Sequence, residues 1–225
     1  MIDLEKGKDR HGKEKFALGI KEPDKVFTRK YKNPKDIWLS RSKFDDYKKC
    51  KRCFYLITFK GLIPPGTPQF TMNSTTDKLL KKEFDICREI QKSHKTLIAN
   101  NLEHIIPYKN NDIAKNIYGD PIVESKTKAQ YKKMEAWRNN YHGLQARFKD
   151  TNYVLYGSVD DIWLDTKNNS LILVDYKSQA NAEKVSQETY FDGEYKEGYQ
   201  RQLDFYSYLL KKQNLKENIA DYAYL

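Results

Sequence analysis

Two things are scarce in this sequence: cysteine and long apolar segments. The 225 residues include three Cys, an odd and low number that argues against a disulfide framework. No N-terminal run of apolar residues reaches the length of a signal peptide or a membrane span, and the first fifteen residues are dense in charge instead. We therefore expect no membrane segment, and a cytoplasmic location in a cell that keeps thiols reduced.

Positive charge, by contrast, is abundant. The 41 Lys and Arg residues outnumber the 31 Asp and Glu residues, which gives a net charge of +10 and a pI near 9.2. This balance favours an anionic partner such as nucleic acid. The 17 Tyr residues offer rings that can stack on bases, and packing in the core is the alternative use for them. The length suits one domain with a sizeable core.

A buried strand is predicted where an apolar run ends in Asp175 and Lys177. Side chains alternate along a strand, so these two charged residues point the same way. The preceding strand, predicted over about residues 153–164, carries Asp160 on one face and Asp161 on the other. Only one of these two aspartates is therefore expected to meet Asp175.

A helix is predicted over about residues 194–212, where apolar and aromatic side chains recur every three or four positions. Gln202 and Tyr206 are four apart, so they lie on one face of this helix, one turn from each other. For these two residues the alternatives to a functional role are a solvated amide and a ring buried in the core.

Three motifs follow one another on these two strands and the helix: Gly157-x-x-Asp160, Asp175-x-Lys177 and Gln202-x-x-x-Tyr206. In that order and on those elements they resemble the PD-(D/E)xK nuclease superfamily, specifically its RecB-like branch. The resemblance implies an α/β fold with a restriction-endonuclease-like αβββαβ core, a mixed central sheet flanked by helices, and a helical N-terminal part. It also implies metal-dependent hydrolysis of phosphodiester bonds in DNA. An ordinary ion pair is the alternative for the D-x-K residues.

The resemblance assigns a role to each residue of these motifs. Its G-x-x-D spacing selects Asp160, which would bind Mg²⁺ or Mn²⁺ together with Asp175, because hard cations prefer carboxylate oxygens. Lys177 would position the attacking water or stabilise the charge that develops on the phosphate. Gln202 and Tyr206 reach toward the active site or the DNA in the family, and we expect the same here.

A helix predicted over about residues 73–92 offers a further metal ligand by the same resemblance. The family often has G-x-x-x-H here, with the His at the metal, and this sequence has Asn73 and Asp77 at those two positions. An aspartate binds a hard cation as well as His or better, so Asp77 is the predicted ligand, and Glu83 is the other candidate. The predicted inner positions of this helix are Leu79, Leu80, Phe84 and Ile86.

A basic helix is predicted from about residue 40 to residue 60. Its sequence, Leu39-Ser40-x-Ser42 followed by Tyr47-x-x-Cys50-x-x-Cys53, resembles the N-terminal helix of RecB-like nucleases. Between residues 41 and 60 there are seven basic and two acidic residues, which favours contact with DNA phosphates. A solvated basic face is the alternative. The predicted DNA-binding residues are Lys48, Lys49, Lys51 and Arg52.

The cysteines do not complete the metal cluster that some relatives in this branch carry. That iron–sulfur cluster uses four Cys, three of them after the nuclease motifs, and no Cys follows Cys87 here. We therefore expect no iron–sulfur cluster. A zinc site at Cys50 and Cys53 would need two further ligands.

We expect two parts in the chain. Residues 1–37 form a basic, weakly ordered arm. Residues 38–225 form a single nuclease-like domain, with a helical part at about 38–143 and the catalytic core at about 144–225. The sequence stops abruptly in a predicted strand, which leaves open a C-terminal truncation. Two other functions also stay open: a nuclease-fold module that binds nucleic acid without cutting it, and a protein scaffold in a DNA-processing complex.

Overall fold

The structure is a computed structural model, and it describes residues 6–8, 14–16, 36–59, 71–177 and 196–225. Helices occur together with a sheet that contains both antiparallel and parallel strand pairs, which confirms the mixed α/β class. The chain divides into two compact units. Unit 1 comprises Met1–Gln69 with Arg147–Leu155, and unit 2 comprises Phe70–Ala146 with Tyr156–Leu225.

Unit 1 contains a short antiparallel pair, β1 (Lys6–Lys8) and β2 (Glu14–Phe16), within the predicted N-terminal arm, most of which lies outside the described residues. Strand β3 (Ile37–Ser40) leads into helix α1 (Arg41–Lys49), and helix α2 (Lys51–Phe59) follows. The sequence predicted one continuous helix here. The structure interrupts it at Cys50, whose extended backbone, with φ −158° and ψ 100°, ends α1.

Cys50 and Cys53 are joined by a disulfide at the start of α2. The low cysteine count led us to expect reduced thiols, and at this pair the structure differs from that expectation. The two residues are three apart, so the bridge closes one turn of chain and does not connect separate elements. Cys87 is a free cysteine.

The remaining elements follow from residue 71 onward. The helices are α3 (Thr71–Ile90), α4 (Lys95–Ala99), α5 (Lys133–Trp137) and α6 (Lys196–Lys211). The strands are β4 (Ile105–Pro107), β5 (Leu144–Arg147), β6 (Tyr153–Gly157), β7 (Asp161–Asp165), β8 (Ser170–Val174) and β9 (Asn218–Tyr224).

Two of the sheets are built from these strands. One has the strand order β3-β6-β5, and the other has the order β4-β7-β8-β9. In the four-stranded sheet β4-β7 and β7-β8 are antiparallel, whereas β8 and β9 are parallel. Parallel neighbours need a crossover connection, and α6 lies in the segment that joins β8 to β9.

The prediction of one continuous strand over residues 153–164 is wrong. The structure has two strands there, β6 and β7, and they belong to different sheets. The chain changes sheet at residues 158–160. There the N–H of Val159 donates to the carbonyl of Trp137 at the end of α5 (3.1 Å) instead of to a strand neighbour. Gly157, Asp160 and Asp161 are residue types depleted in strands, so the composition of this segment agrees with a break.

The register of β7 and β8 decides where the charged residues meet. Asp161 pairs with Val174 at the end of this antiparallel ladder. Asp160 and Asp175 are the next residue outward on each side, so they lie opposite each other just past the ladder. The segment from Asp175 to Lys177, predicted as the end of the strand, follows β8 as irregular chain.

Helix α3 packs against one face of the four-stranded sheet through Phe84. The Phe84 ring stacks on that of Trp163 in β7, with 4.8 Å between ring centroids. Ile172 and Val174 of β8 belong to the same cluster of buried side chains. These two residues alternate along β8 with Leu171, Leu173 and Asp175, so Asp175 belongs to the opposite face of the sheet.

The predicted inner face of α3 is only half correct. Phe84 is buried, and Leu80 packs against the same cluster. Leu79 and Ile86, however, are 60% and 64% exposed. At 3.6 residues per turn these two positions lie on a neighbouring face of the helix, whereas Leu80 and Phe84 are four apart and share one face.

Helix α6 agrees closely with its predicted range of 194–212. It packs beside β8 and β9, and Leu209 and Leu210 near its end are fully buried. Among the helices of the described residues, none is both long and apolar enough to cross a membrane.

Candidate active site

Two carboxylates meet where β7 begins and β8 ends. Asp160 immediately precedes β7 and Asp175 immediately follows β8. The strand register therefore brings both predicted metal ligands to the same end of these two central strands, which is called the sheet edge below. Asp160 Oδ2 accepts a hydrogen bond from the backbone N–H of Tyr176 (3.0 Å). This bond holds the Asp160 carboxylate against the segment of chain that carries Asp175.

Asp175 is a buried carboxylate with two polar partners. Gln202 Nε2 donates to its Oδ1 (2.7 Å), and the Lys177 ammonium forms an ion pair with its Oδ2. Burial raises the pKa of Asp175 to about 6, while Lys177 lowers it and the neighbouring Asp160 carboxylate raises it. Three residues predicted from the sequence, Gln202, Lys177 and Asp160, therefore act on this one carboxylate.

No motif in the sequence marks Lys81, which lies on α3 one turn after Asp77. Its ammonium donates to Asp77 Oδ2 (2.9 Å) and to Asp160 Oδ1 (2.8 Å), so it joins α3 to the edge of the sheet. Burial lowers the pKa of Lys81, but its two carboxylate partners outweigh burial and raise the pKa overall. The available signal was the i,i+4 spacing of an aspartate and a lysine, which is common on helix surfaces.

The chemistry of these side chains fits a hard divalent cation. Asp77 and Asp160 already share one cation, the Lys81 ammonium, which lies between them. Asp77 Oδ1 is also buried and has no hydrogen-bond partner within the described part of the chain. Carboxylate oxygens are the ligands that Mg²⁺ and Mn²⁺ prefer.

The carboxylates are nevertheless not arranged as a finished metal site. Within residues 36–59, 71–177 and 196–225, no three His, Cys, Asp or Glu side chains lie close enough together to hold a metal ion as they stand. The ammonium groups of Lys81 and Lys177 engage these carboxylates instead. A divalent cation would therefore compete with at least one of these lysines.

Lys177 is placed by Asp175 on one side and by an aromatic ring on the other. Its ammonium lies 4.9 Å from the centroid of the Tyr199 ring on α6, a cation–π distance. The Lys177 side chain is 22% exposed, so its charge is held in position and is still open to solvent. The sequence pattern placed Tyr199 only in the apolar stripe of its helix and gave no sign of this contact.

Asp161, the neighbour of Asp160, is fully buried and has different partners. Its Oδ1 pairs with the Arg88 guanidinium, and its Oδ2 accepts hydrogen bonds from the hydroxyl of Tyr176 (2.9 Å) and the indole N–H of Trp163 (3.3 Å). The two adjacent aspartates therefore have separate surroundings, one at the sheet edge and one in the core.

Arg138 supports the segment between β6 and β7 that carries Asp160. Its Nε donates to the backbone carbonyl of Asp160 (3.0 Å), and its guanidinium pairs with Asp85 on α3. Burial lowers the pKa of Arg138, but the nearby carboxylates of Asp161 and Asp85 raise it overall. The guanidinium is thus a charged, half-buried support for the backbone next to the site, and no motif in the sequence marked it.

Tyr206 packs against the glycine of the first motif. The Cβ of an alanine at position 157 would lie 2.5 Å from Tyr206 Cε1, so the ring occupies the space that a side chain on Gly157 would need. One turn earlier on α6, Gln202 reaches Asp175. The helix face that carries the Q-x-x-x-Y motif therefore contacts both preceding motifs.

The two candidate ligands on α3 have different neighbours. Asp77 is joined to Asp160 through Lys81. Glu83 instead forms a hydrogen bond with His94 Nε2 (3.1 Å), and its side chain is 51% exposed. Of the two, Asp77 is the one that the structure brings to the sheet edge.

The predicted DNA-binding residues lie in unit 1, where α1 ends and α2 begins. All four side chains are exposed: Lys48, Lys49, Lys51 and Arg52. The two acidic residues of this segment are engaged by other cations, Asp45 by Arg41 and Asp46 by Lys43. The junction of the two helices is therefore a positively charged surface.

Comparison with known proteins gives one match. The family model described as the PD-(D/E)XK nuclease superfamily matches residues 38–224 of the chain. That range includes Asp77, Asp160, Asp175 and Lys177, as well as the helix that carries Gln202 and Tyr206. No curated protein and no solved structure matches the chain.

Proposed function

We propose, because the chain belongs to the PD-(D/E)XK nuclease superfamily, that it is a nuclease that hydrolyses phosphodiester bonds in DNA with Mg²⁺ or Mn²⁺. The observation that carries this proposal is the meeting of Asp160 and Asp175 at the sheet edge, with Lys177 and Gln202 in contact with Asp175. The Q-x-x-x-Y helix beside these residues supports the RecB-like branch and its αβββαβ core.

Each residue of the site has a distinct task in this proposal. Asp160, Asp175 and Asp77 would hold the metal, which when bound would supply an activated water and neutralise phosphate charge. Gln202 fixes the orientation of the Asp175 carboxylate by donating to its Oδ1. Lys177 donates to the attacking water or to the phosphate oxygen on which negative charge develops.

Lys81 keeps the carboxylates of Asp77 and Asp160 together in the absence of metal. Two ionised carboxylates at short range repel each other, and the ammonium between them offsets that repulsion. Metal binding is therefore a competition with this ammonium in our proposal.

The same lysine favours a second candidate function, a nuclease-fold module that binds DNA without cutting it. If the Lys81 ammonium holds Asp77 and Asp160 permanently, the carboxylates are structural and no metal binds. The basic surface at Lys48 and Lys49 would then serve DNA binding alone. The two candidates differ in metal binding and in cleavage, and both properties can be measured.

The test is cleavage of linear and circular DNA by the wild-type protein and by a Lys177→Ala variant, with Mg²⁺, with Mn²⁺ and in EDTA. We expect the wild type to cut DNA with Mg²⁺ or Mn²⁺ and to show no cleavage in EDTA. The variant should lose about a hundredfold or more in rate. It should still bind DNA, and bind Mn²⁺ at least as tightly as the wild type, because Lys177 is not a metal ligand.

Lys167→Ala is the matched control, since Lys167 is an exposed lysine in the turn between β7 and β8, and it should cut like the wild type. Cleavage that survives EDTA would refute the metal-dependent mechanism. A wild type that binds DNA but neither cuts it nor binds Mn²⁺ would establish the second candidate.

A further inference from the structure

Unit 1 contains a cavity of about 200 Å³ that the proposed catalysis does not use. It lies between β3, α1, α2 and the start of β6, and its walls are almost entirely apolar, with Leu39 beside a group of aromatic rings. The rings that line it are Phe44, Tyr47, Phe54, Phe59 and Tyr153, with the side chain of Lys43 beside them. Of these rings, only Tyr47 belongs to a motif in the sequence, the Tyr47-x-x-Cys50 spacing.

The aromatic rings are arranged around the cavity and partly open to solvent. Tyr47 meets Phe54 edge-on, with 5.3 Å between ring centroids, and Phe54 meets Phe59 in the same way at 6.0 Å. Phe44 and Tyr47 are 42% and 46% exposed. Exposed aromatic surface that is gathered in one place is a mark of a binding site.

Positive charge lies beside this opening. The Lys51 ammonium lies 5.8 Å from the centroid of the Tyr47 ring, and the exposed side chains of Lys48, Lys49 and Arg52 belong to the same two helices. An apolar, ring-lined pocket with cations nearby suits a nucleotide, which has an aromatic base and a charged phosphate.

We propose that this cavity, the aromatic pocket, binds one unpaired base of a DNA strand while the basic residues around it contact the neighbouring phosphates. The inference rests on the proposed function, and it adds a substrate class: DNA with a single-stranded segment. The size of the pocket supports one base, because sites for larger, drug-sized ligands occupy about 300–1,000 Å³. Base–aromatic stacking is tolerant of sequence, so the pocket should accept any base.

The experiment measures binding of the full-length protein to a short single-stranded oligonucleotide that carries 2-aminopurine, in EDTA so that nothing is cut. Tyr47→Ala should weaken binding about tenfold and abolish the fluorescence change that stacking causes. Tyr47→Phe should bind like the wild type, and Tyr47→Leu, which is apolar but not aromatic, should be as weak as Tyr47→Ala.

Tyr222→Ala is the matched control, because Tyr222 on β9 is 47% exposed, like Tyr47, but does not line the pocket, and its affinity should be that of the wild type. A second arm uses an oligonucleotide of the same length and charge whose sugars carry no bases. The Tyr47→Ala variant and the wild type should bind this abasic strand equally, since only phosphates remain. Circular dichroism and thermal unfolding confirm that each variant is folded.

Equal affinity of Tyr47→Ala and wild type for the normal strand would overturn the proposal, as would an equal loss in Tyr222→Ala. Self-association of the wild type that Tyr47→Ala removes would also overturn it, because the occupant would then be a second copy of the chain. The outcome is independent of cleavage. If the protein stacks the base but never cuts DNA, only the proposed function is refuted. If it cuts DNA but Tyr47→Ala leaves the affinity for the oligonucleotide unchanged, only the aromatic pocket is refuted.

Discussion

Lys81 and Lys177 bring two positive charges to the candidate active site, and Asp77, Asp160 and Asp175 bring three negative ones when all are ionised. Without a metal, the site is therefore nearly neutral. A divalent cation is attracted by the carboxylates and repelled by the ammonium groups at the same short range. The affinity of the site for metal should depend strongly on each of these single charges.

Replacing Lys81 with methionine should strengthen metal binding. The substitution removes the ammonium that competes for Asp77 and Asp160 and keeps a side chain of similar length. We expect about tenfold tighter Mn²⁺ binding, the equivalent of one charged hydrogen bond that the metal no longer has to displace. Titration with Mn²⁺, followed by electron paramagnetic resonance of the free ion, measures the affinity directly.

Lys82→Met is the control for this titration, because Lys82 is the next residue on α3 and its side chain is exposed. It should leave the affinity for Mn²⁺ unchanged. If Lys81→Met and Lys82→Met behave alike, the ammonium of Lys81 does not compete with the metal.

The raised pKa of Asp175 predicts a pH-dependent cost in stability. Its pKa is about 6 in the folded chain, against an ordinary value of 3.8. The folded state therefore holds this proton more tightly than the unfolded state, so stability falls as pH rises from about 4 to 6 and stays lower above that. Asp175→Asn removes the ionisation and should stabilise the metal-free protein at pH 8, by on the order of 1–3 kcal/mol.

Urea unfolding in EDTA at pH 8 and at pH 4 checks this expectation. At pH 4 the carboxyl is protonated in the folded state, so the variant should gain nothing there. Asp204→Asn, which changes an exposed aspartate on α6, controls for the loss of one negative charge. A variant at Asp175 that is less stable than the wild type at pH 8 would show that its ion pair with Lys177 outweighs burial.

At the scale of elements, the sequence predicted the buried strand β8 that precedes Asp175 and the helix that carries Gln202, because a continuous apolar run and a helical period are both local patterns. It did not predict the break between β6 and β7. That break depends on the bond from Val159 to Trp137 and on the support that Arg138 gives to Asp160. These contacts join residues about twenty positions apart, and no local pattern contains them.

The same limit explains why Lys81 was missed while Asp77 was found. A family pattern marks positions along the chain, and Asp77 stands at one of them. The role of Lys81 depends instead on its contact with Asp160, 79 residues later, and exposed lysines are common on helices. Contacts of this kind are decided by packing of α3 on the sheet, which Phe84 and Trp163 direct.

The two adjacent aspartates at the start of β7 should respond differently to substitution. Asp160→Asn removes a proposed metal ligand at the sheet edge, so cleavage should be lost while the melting temperature stays near that of the wild type. Asp161→Asn removes the buried counter-charge of the Arg88 guanidinium and leaves it paired with the more exposed Asp85. Breaking a buried pair in this way costs about 3–5 kcal/mol, so the melting temperature should fall by roughly 10 °C.

Thermal unfolding in EDTA and cleavage assays well below the melting temperature separate these two effects. At the lower temperature Asp161→Asn should retain cleavage, because Asp161 does not belong to the proposed ligand set. Loss of cleavage in Asp161→Asn while it remains folded would mean that the buried aspartate also holds the site in its active geometry through Tyr176.

At the scale of the whole molecule, a net charge of +10 attracts DNA from any direction, and only some of the basic residues need touch it. Binding that releases counterions from the phosphates weakens as salt increases. The logarithm of the binding constant falls linearly with the logarithm of the salt concentration, with a slope of about −0.9 for each duplex phosphate neutralised. The slope therefore counts contacts, whereas overall charge affects every variant alike. This difference allows the basic junction of α1 and α2 to be tested separately from the rest of the chain.

Charge removal at this junction should reduce both affinity for duplex DNA and the steepness of its salt dependence. The test variant replaces Lys48, Lys49, Lys51 and Arg52 with glutamine. A control variant makes the same change in net charge at four exposed lysines elsewhere: Lys92, Lys95, Lys126 and Lys128. If each of the four junction residues contacts one phosphate, the magnitude of the slope should fall by about 3 to 4 in the test variant.

The loss of affinity should be equal across DNA sequences, since phosphate contacts do not read bases. Equal slopes in the two variants would mean that the junction contributes only its charge, and that the phosphate contacts come from elsewhere in the chain.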